Sequence, residues 1–295
     1  MFKNRLYDLV FESMIPLPGY YSSLDSPPDV TVRYGNVVPC PLLQTSSGLN
    51  YLVEKNRCIL SWSDTAAFQI DDGSQITVQP FRGTSEAELS LPLVGLASSI
   101  LLMKRGVLTL HGSAVAVNDK ALLFIGNKGQ GKSTLASHLL DNAEATLLTD
   151  DLAAIDIKQT GNFIRPGFPA LKLWPDSLCH LNEDINQHPR INPDIEKRQL
   201  SLTNRFHPHV TRISAIFLLN IDDDLSIRRL SFQESCMALF SNTFGCFFAE
   251  RTSTAAVTFI FNQCGQLAKT TPVYLLTRPH NFSRLPETIS TILNQ

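Results

Sequence analysis

The stretch Ala121-Leu122-Leu123-Phe124-Ile125-Gly126-Asn127-Lys128-Gly129-Gln130-Gly131-Lys132-Ser133-Thr134 decides the fold class. Five apolar residues, Ala121 to Ile125, read as a buried strand that stops at a glycine. From Gly126 to Ser133 the spacing is GxxxxGK[ST], the signature of a turn that links a strand to the first turn of a helix and cradles phosphate. Glycines let backbone N–H groups converge on phosphate oxygens, and the helix N-terminus adds its partial positive charge. In such a loop Lys132 neutralises the β and γ phosphates and the Ser133 hydroxyl takes a Mg²⁺ coordination position. The expected cradle is Gly126, Asn127, Lys128, Gly129, Gln130, Gly131, Lys132, Ser133 and Thr134, and the expected ligands are ATP and Mg²⁺. Asn127-Lys128 falls inside the loop and is no guanine-specificity motif.

Working downstream, Lys132 to Leu140 reads as the loop helix and Thr146 to Thr149 as the next strand, which ends at Asp150 and Asp151. A β-α-β order puts that strand end beside the loop. One carboxylate is expected to hold the metal and its neighbour to accept a hydroxyl proton, because adjacent residues at a strand end face different sides. The spacing leaves open which does which. His111, on the strand Val107 to Val117, enters the same region, although a histidine in that place read alone is a core residue.

Elsewhere after Gly106 strands and helices alternate, so the second part of the chain is α/β. Leu152 to Lys158 and Phe163 to Arg165 form an expected hairpin turning at Thr160-Gly161-Asn162. Ile213 to Leu219 and Val273 to Thr277 read as strands, and Phe232 to Phe244, Thr254 to Ala268 and Pro286 to Leu293 as helices. Ser177 to Pro208, polar and rich in Asn, His and Pro, is expected to be a mobile segment near the site. The first ninety residues are β-rich, with strands at Leu6 to Glu12 and Val30 to Tyr34 and a hairpin closing at Asp72-Gly73. An apolar helix from Ser90 to Lys104, capped by Gly106, marks the division into residues 1–90 and 91–295.

Composition narrows the classes. With 43% hydrophobic and 18% charged residues the 295-residue chain can bury a core, which excludes bulk disorder. A net charge of −2 lacks the basic surplus of a nucleic-acid binder. The most apolar run, Leu91 to Met103, falls short of the roughly 20 residues a membrane span needs, and Asp8 and Glu12 interrupt any signal core. The cytoplasm is the expected compartment, with no membrane partner. Cys40, Cys58, Cys179, Cys236, Cys246 and Cys264 form no CxxC pair and read as reduced, mostly buried thiols.

The segment His111-Gly112-Ser113-Ala114-Val115, the loop and the pair Asp150-Asp151 together resemble the catalytic domain of the HPr serine kinase/phosphorylase family, whose nucleotide fold is related to phosphoenolpyruvate carboxykinase. Arg165-Pro166-Gly167-Phe168-Pro169-Ala170-Leu171-Lys172-Leu173-Trp174-Pro175-Asp176 resembles a subgroup of HPr kinase-related proteins associated with the modification of ribosomal peptides, lasso peptides among them. Tyr7 to Pro18 and Pro28 to Tyr34 are similar to that subgroup's smaller N-terminal domain. The resemblance implies an HPr kinase-like catalytic domain behind a β-rich domain that recognises substrate. It also implies nucleotide and Mg²⁺ binding by Gly126, Gly129, Gly131, Lys132 and Ser133, carboxylate roles for Asp150 and Asp151, and an active-site role for His111. Two departures stand out: Thr134 replaces the Glu that usually follows the loop serine, and the Glu-Val-Arg-Gly-Leu-Gly signature is absent.

The expected activity is transfer of the γ-phosphoryl group of ATP to a serine hydroxyl of a peptide or protein. An HPr-type protein kinase, a small-metabolite kinase and a nucleotide-dependent regulatory switch are the competing readings, and a homo-oligomer is left open. Arg165, Lys172, Lys197 and Arg198 are further cations for the transferring group, and Trp174 reads as a packing residue.

Overall fold

The computed structural model describes residues 1–20, 26–37, 43–44, 48–54, 56–192, 195–244 and 254–295. Mixed sheets and helices make it an α/β fold. The first eight strands, all within residues 2–80, form one sheet, and a second eight-stranded sheet is built from residues 108–278. Between the sheets runs the helical stretch Glu86–Lys104. It starts four residues earlier than Ser90, because Ser85 and Glu88 form a reciprocal capping box. It kinks at Gly95, whose backbone leaves helical geometry just beyond Pro92.

By length and composition this helix would also cross a bilayer, its apolar window having a mean hydropathy of 1.4. Half of that window is buried inside the protein. Leu89, Leu93, Ala97 and Leu101 share one core with Phe11, Phe68 and Ile70 of the first sheet, Leu152 and Ala154 of the second, and Phe168 of the connection that follows Gly161–Arg165. Each such buried side chain contributes roughly 1.5–3 kcal/mol of transfer free energy.

The expected strand Leu6 to Glu12 is two strands, Phe2–Leu6 and Leu9–Ser13, folded back through Tyr7 and Asp8. Both turn residues have positive φ, 53° and 58°, without the usual Gly or Asn to announce it. Burial explains it: the Tyr7 ring is fully enclosed and its hydroxyl donates to the Val94 carbonyl at 2.5 Å. The strand Val30–Tyr34 and the hairpin at Asp72-Gly73 are where the pattern placed them. The later hairpin turns at Gln159-Thr160 instead, since Gly161 and Asn162 already pair with Lys158 and Ile157.

In the second sheet Lys120–Ile125 pairs antiparallel with Leu108–Val117 and parallel with Thr211–Ile221. Thr211–Ile221 also meets Gly161–Arg165, whose hairpin partner Leu152–Lys158 returns to Leu108–Val117, so the pairings close on themselves. Residues 177–208, expected to be mobile, are structured where described. Arg190–Asn192 and Ile195–Ser201 join Ala170–Leu173 in a small third sheet beside the loop helix. Hydrogen bonds to Ala170–Leu173 order what composition alone reads as loop.

The helix expected to reach Phe244 ends at Ser241. Asn242 and Thr243 are captured by the central strand instead: the Asn242 carbonyl accepts from His111 N–H at 2.8 Å and Thr243 bridges Leu110. Cys58 and Cys236 are buried thiols and Cys179 is exposed, whereas Cys40 and Cys246 lie outside the described residues.

Gly112 tests this packing. A Cβ there would sit 2.7 Å from the Phe124 carbonyl oxygen, which belongs to the backbone of the loop strand and cannot move aside cheaply. Gly112→Ala is expected to cost about 1–3 kcal/mol, read as a lower midpoint in urea unfolding. An unchanged midpoint would mean that the strands separate freely.

Candidate active site

Strand register assembles the site. Leu108–Val117 lies between the loop strand, paired as Ile125 with Gly112, and the strand Ala145–Thr149, paired as Thr149 with Ala114. Both flanking strands run antiparallel to it, so they are parallel to each other, and their C-terminal ends deliver the loop and the Asp pair to the same edge. His111, Gly112 and Ser113 occupy the gap between them.

Asp150 is buried. Its Oδ1 accepts from Ser113 Oγ at 2.5 Å and from Ser133 Oγ at 2.8 Å, and its Oδ2 accepts from the Lys172 backbone N–H at 2.9 Å. Asp151 turns the other way, because its backbone adopts φ 73°. Its Oδ2 accepts from Lys172 Nζ at 2.7 Å, and its Oδ1 lies 3.4 Å from His111 Nδ1. That ring nitrogen also sits 3.1 Å from the Asp151 carbonyl oxygen. Asp151 retains 37% of its side-chain exposure and lines the open cleft.

Lys132 Nζ donates to the carbonyls of Gly126 at 2.7 Å and Asn127 at 3.2 Å. Gly126, Gly129 and Gly131 all have φ between 77° and 144°, a region open to glycine at no steric cost. The Gln130 side chain turns inward, its Oε1 accepting from Asn127 N–H at 2.8 Å, and so braces the loop from within.

Burial pulls the Lys132 ammonium below its ordinary value, an effect that Asp150 and Asp151 offset in part. Burial and the nearby Lys132 also lower His111, against the opposing pull of Asp151. Burial by itself raises the Asp151 carboxyl. Lys172 above all, with His111 and Lys197, outweighs it and holds Asp151 well below the usual carboxylate range. A carboxylate so depressed stabilises the fold above the unfolded-chain value of about 3.9, and that contribution is lost as pH falls through the folded value. Lys172→Met is therefore expected to move the acid-unfolding midpoint, followed by circular dichroism, to higher pH. A midpoint at the wild-type pH would show that Lys172 does not set the charge on Asp151.

His111, Lys128, Gly129, Gly131, Lys132, Ser133, Thr134, Asp150 and Asp151 line one cleft. Gly126 and Asn127 face a second, more apolar opening that shares His111 and Lys128 with the first and is walled by Leu49, Leu96 and Phe244. Of the four candidate cations, Lys172 and Lys197 line the cleft. Arg165 is drawn away by Asp156 at 2.8 Å, and Arg198 by the His188 carbonyl at 3.3 Å. Trp174, expected to pack inside, is 42% exposed in the cleft with Lys197 Nζ 5.6 Å from its ring centroid. Thr134 Oγ1 lies 3.0 Å from Ser177 Oγ.

Ser113 and Arg278 went unread in the sequence. Ser113 follows His111-Gly112 on an inward-facing strand, which was signal enough to find it. Arg278 closes an apolar strand far from the loop, and only the parallel pairing with Thr211–Ile221 brings it near.

Among the described residues no three His, Cys, Asp or Glu side chains cluster to make a closed metal cage. The Asp150 carboxylate with the Ser113 and Ser133 hydroxyls is an all-oxygen set, which fits Mg²⁺, an ion held by one or two carboxylates, water and substrate phosphate.

No family model matches the sequence, and no curated protein matches it. Among solved structures, the HPr(Ser) kinase/phosphatase from Coxiella burnetii is similar, with a TM-score of 0.37 and 8% identity over 63% of this chain and 88% of that one. At that score and identity nothing about chemistry carries over to this chain.

Proposed function

We propose that this protein is an ATP- and Mg²⁺-dependent kinase that transfers the γ-phosphoryl group to a serine hydroxyl of a peptide or protein, with a ribosomally made precursor peptide as the acceptor class. The observation that supports the reading is the different placement of two neighbouring carboxylates at the cleft. A buried carboxylate, Asp150, is bonded to the loop serine, and a second, Asp151, faces the opening beside Lys132 and Lys172. Ser133 and Asp150 would hold Mg²⁺, which supplies charge neutralisation at the phosphate oxygens when bound.

Lys132 stabilises charge on the phosphate chain, and the loop amides orient it. Asp151 aligns the acceptor hydroxyl. Held ionised by Lys172, it is a weak base, and it takes the proton late, as the new P–O bond forms. His111 fixes the orientation of Asp151 through its ring nitrogen. The apolar opening walled by Leu49, Leu96 and Phe244 reaches His111 from the side of the first sheet, which suits a polypeptide better than a polar metabolite.

The experiment is to incubate the protein, ATP and Mg²⁺ with serine-containing precursor peptides, with HPr and with small hydroxylated metabolites, and to follow a phosphate-sized mass gain by tandem mass spectrometry. Phosphoserine on a peptide is expected. Modification of a metabolite alone would overturn the polypeptide reading, and ATP hydrolysis without any phosphorylated product would point to a switch.

A further inference from the structure

Among the described residues no anion pairs with the buried cation Arg278. It ends the strand Val273–Arg278, which runs parallel to Thr211–Ile221 and through it to the loop strand, so the side chain arrives at the loop end of the sheet. The residue is 3% exposed. Its partners are carbonyls: Nη2 donates to Gln130 O at 3.0 Å and Nη1 to Pro279 O at 3.2 Å, while Nε is buried with no partner. Among the described residues it forms no ion pair, and burial alone pulls the guanidinium below its ordinary value.

A buried charge left in this state is costly unless a counter-charge arrives. The cleft supplies the place for one. Arg278 borders it together with Gly131, Lys132 and Thr134, at the N-terminus of the helix Lys132–Asn142, where backbone N–H groups already favour an anion. A side chain on Gly131 would collide with Nη2, so the loop passes directly over the guanidinium. Lys132 Nζ rests against the carbonyls of Gly126 and Asn127 at the start of the loop, and Arg278 rests against Gln130 at its end. The two cations bracket the loop.

We infer that Arg278 is a ligand-binding residue whose missing counter-charge is a phosphate, and that Lys132 and Arg278 together select a nucleoside polyphosphate over a monophosphate. A single phosphate group engages one end of the loop, whereas a di- or triphosphate chain engages both. This rests on the nucleotide reading above and goes beyond it by naming the residue that counts phosphates. Arg278 keeps its carbonyl bonds in the ligand-free protein, and the planar guanidinium presents its remaining N–H edge to the phosphate.

The test compares wild type, Arg278→Met and Arg278→Lys by thermal unfolding and by calorimetric titration with ATP, ADP and AMP in Mg²⁺. Met keeps the apolar stem and removes the unpaired charge. The ligand-free Tm of Arg278→Met is expected to equal or exceed that of wild type, while its ATP affinity falls at least about tenfold and its preference for ATP over AMP shrinks. Arg278→Lys, which keeps the charge and loses the fork, is expected to fall between them. A lowered ligand-free Tm or failure to fold would make Arg278 a structural residue and overturn the assignment. Wild-type ATP affinity and ATP-to-AMP preference in Arg278→Met would overturn it as well, with the loop reading intact. No binding of any of the three nucleotides to wild type would remove the loop reading itself, and the assignment with it.

Discussion

Lys132→Ala is expected to abolish phosphoryl transfer while leaving the fold in place. The ammonium makes two hydrogen bonds, both to carbonyls of its own loop, at Gly126 and Asn127, and no ion pair among the described residues. Its loss therefore breaks no hydrogen bond between distant parts of the chain, and far-ultraviolet circular dichroism should be unchanged. Transfer is another matter. Removing one preorganised group aimed at developing charge costs about 10²–10³ in rate, and here the group is also the cation at the start of the loop. Measured as phosphopeptide formed per minute, the rate should fall by at least about 100-fold. Near-normal turnover in a variant with a normal spectrum would remove the nucleotide assignment.

Asp150→Asn and Asp151→Asn are expected to fail differently, because the fold gives the neighbours different surroundings. Asp150 is enclosed and accepts from two hydroxyls and one backbone N–H, all of which match a carboxylate and not an amide nitrogen. Asp150→Asn should lower both activity and thermal stability, and raised Mg²⁺ or Mn²⁺ should restore part of the activity. Asp151 is partly open to solvent and faces Lys172 and His111. Asp151→Asn should lower the rate by about 10²–10⁴ with nucleotide affinity preserved, and added metal should restore nothing. The measurement is the Mg²⁺ dependence of kcat for both variants beside their melting temperatures. Mild, equal effects would reduce the pair to a surface turn.

The parts of this site that were legible in the sequence are those carried by local pattern. The loop could be read because an apolar strand, three glycines at fixed spacing and a Lys-Ser pair sit within thirteen residues, and each is needed for a local backbone reason. Asp150 and Asp151 could be read because they end the next strand. Their different surroundings could not, since these depend on Asp151 taking φ 73° and on Lys172 lying across from it. His111 was legible through a family resemblance, and as a lone strand residue it would have passed for core. Trp174 misled in the other direction, because a tryptophan beside a proline carries no mark of which face is open.

The early hairpin at Tyr7-Asp8 and the order within residues 177–208 show a second kind of gap. In each case the local composition argued for something else, and a distant partner overrode it: the Val94 carbonyl for Tyr7, the strand Ala170–Leu173 for Ile195–Ser201. Propensity is a weak prior wherever a buried hydrogen bond or a strand edge is at stake.

By itself, then, the sequence determined an α/β chain with a glycine-rich loop between strand and helix and a carboxylate pair one strand later, since glycine geometry and apolar periodicity act over a few residues. Only the tertiary structure decided that Leu108–Val117 would lie between loop and carboxylates, that Lys172 would hold Asp151 ionised, and that Arg278, 148 positions from its loop partner Gln130, would stand buried at the loop's end with no ion pair among the described residues. The reason is physical. Strand register and burial are set by the packing of residues far apart in the chain, and a charge learns its neighbours only when the sheet that carries it has closed.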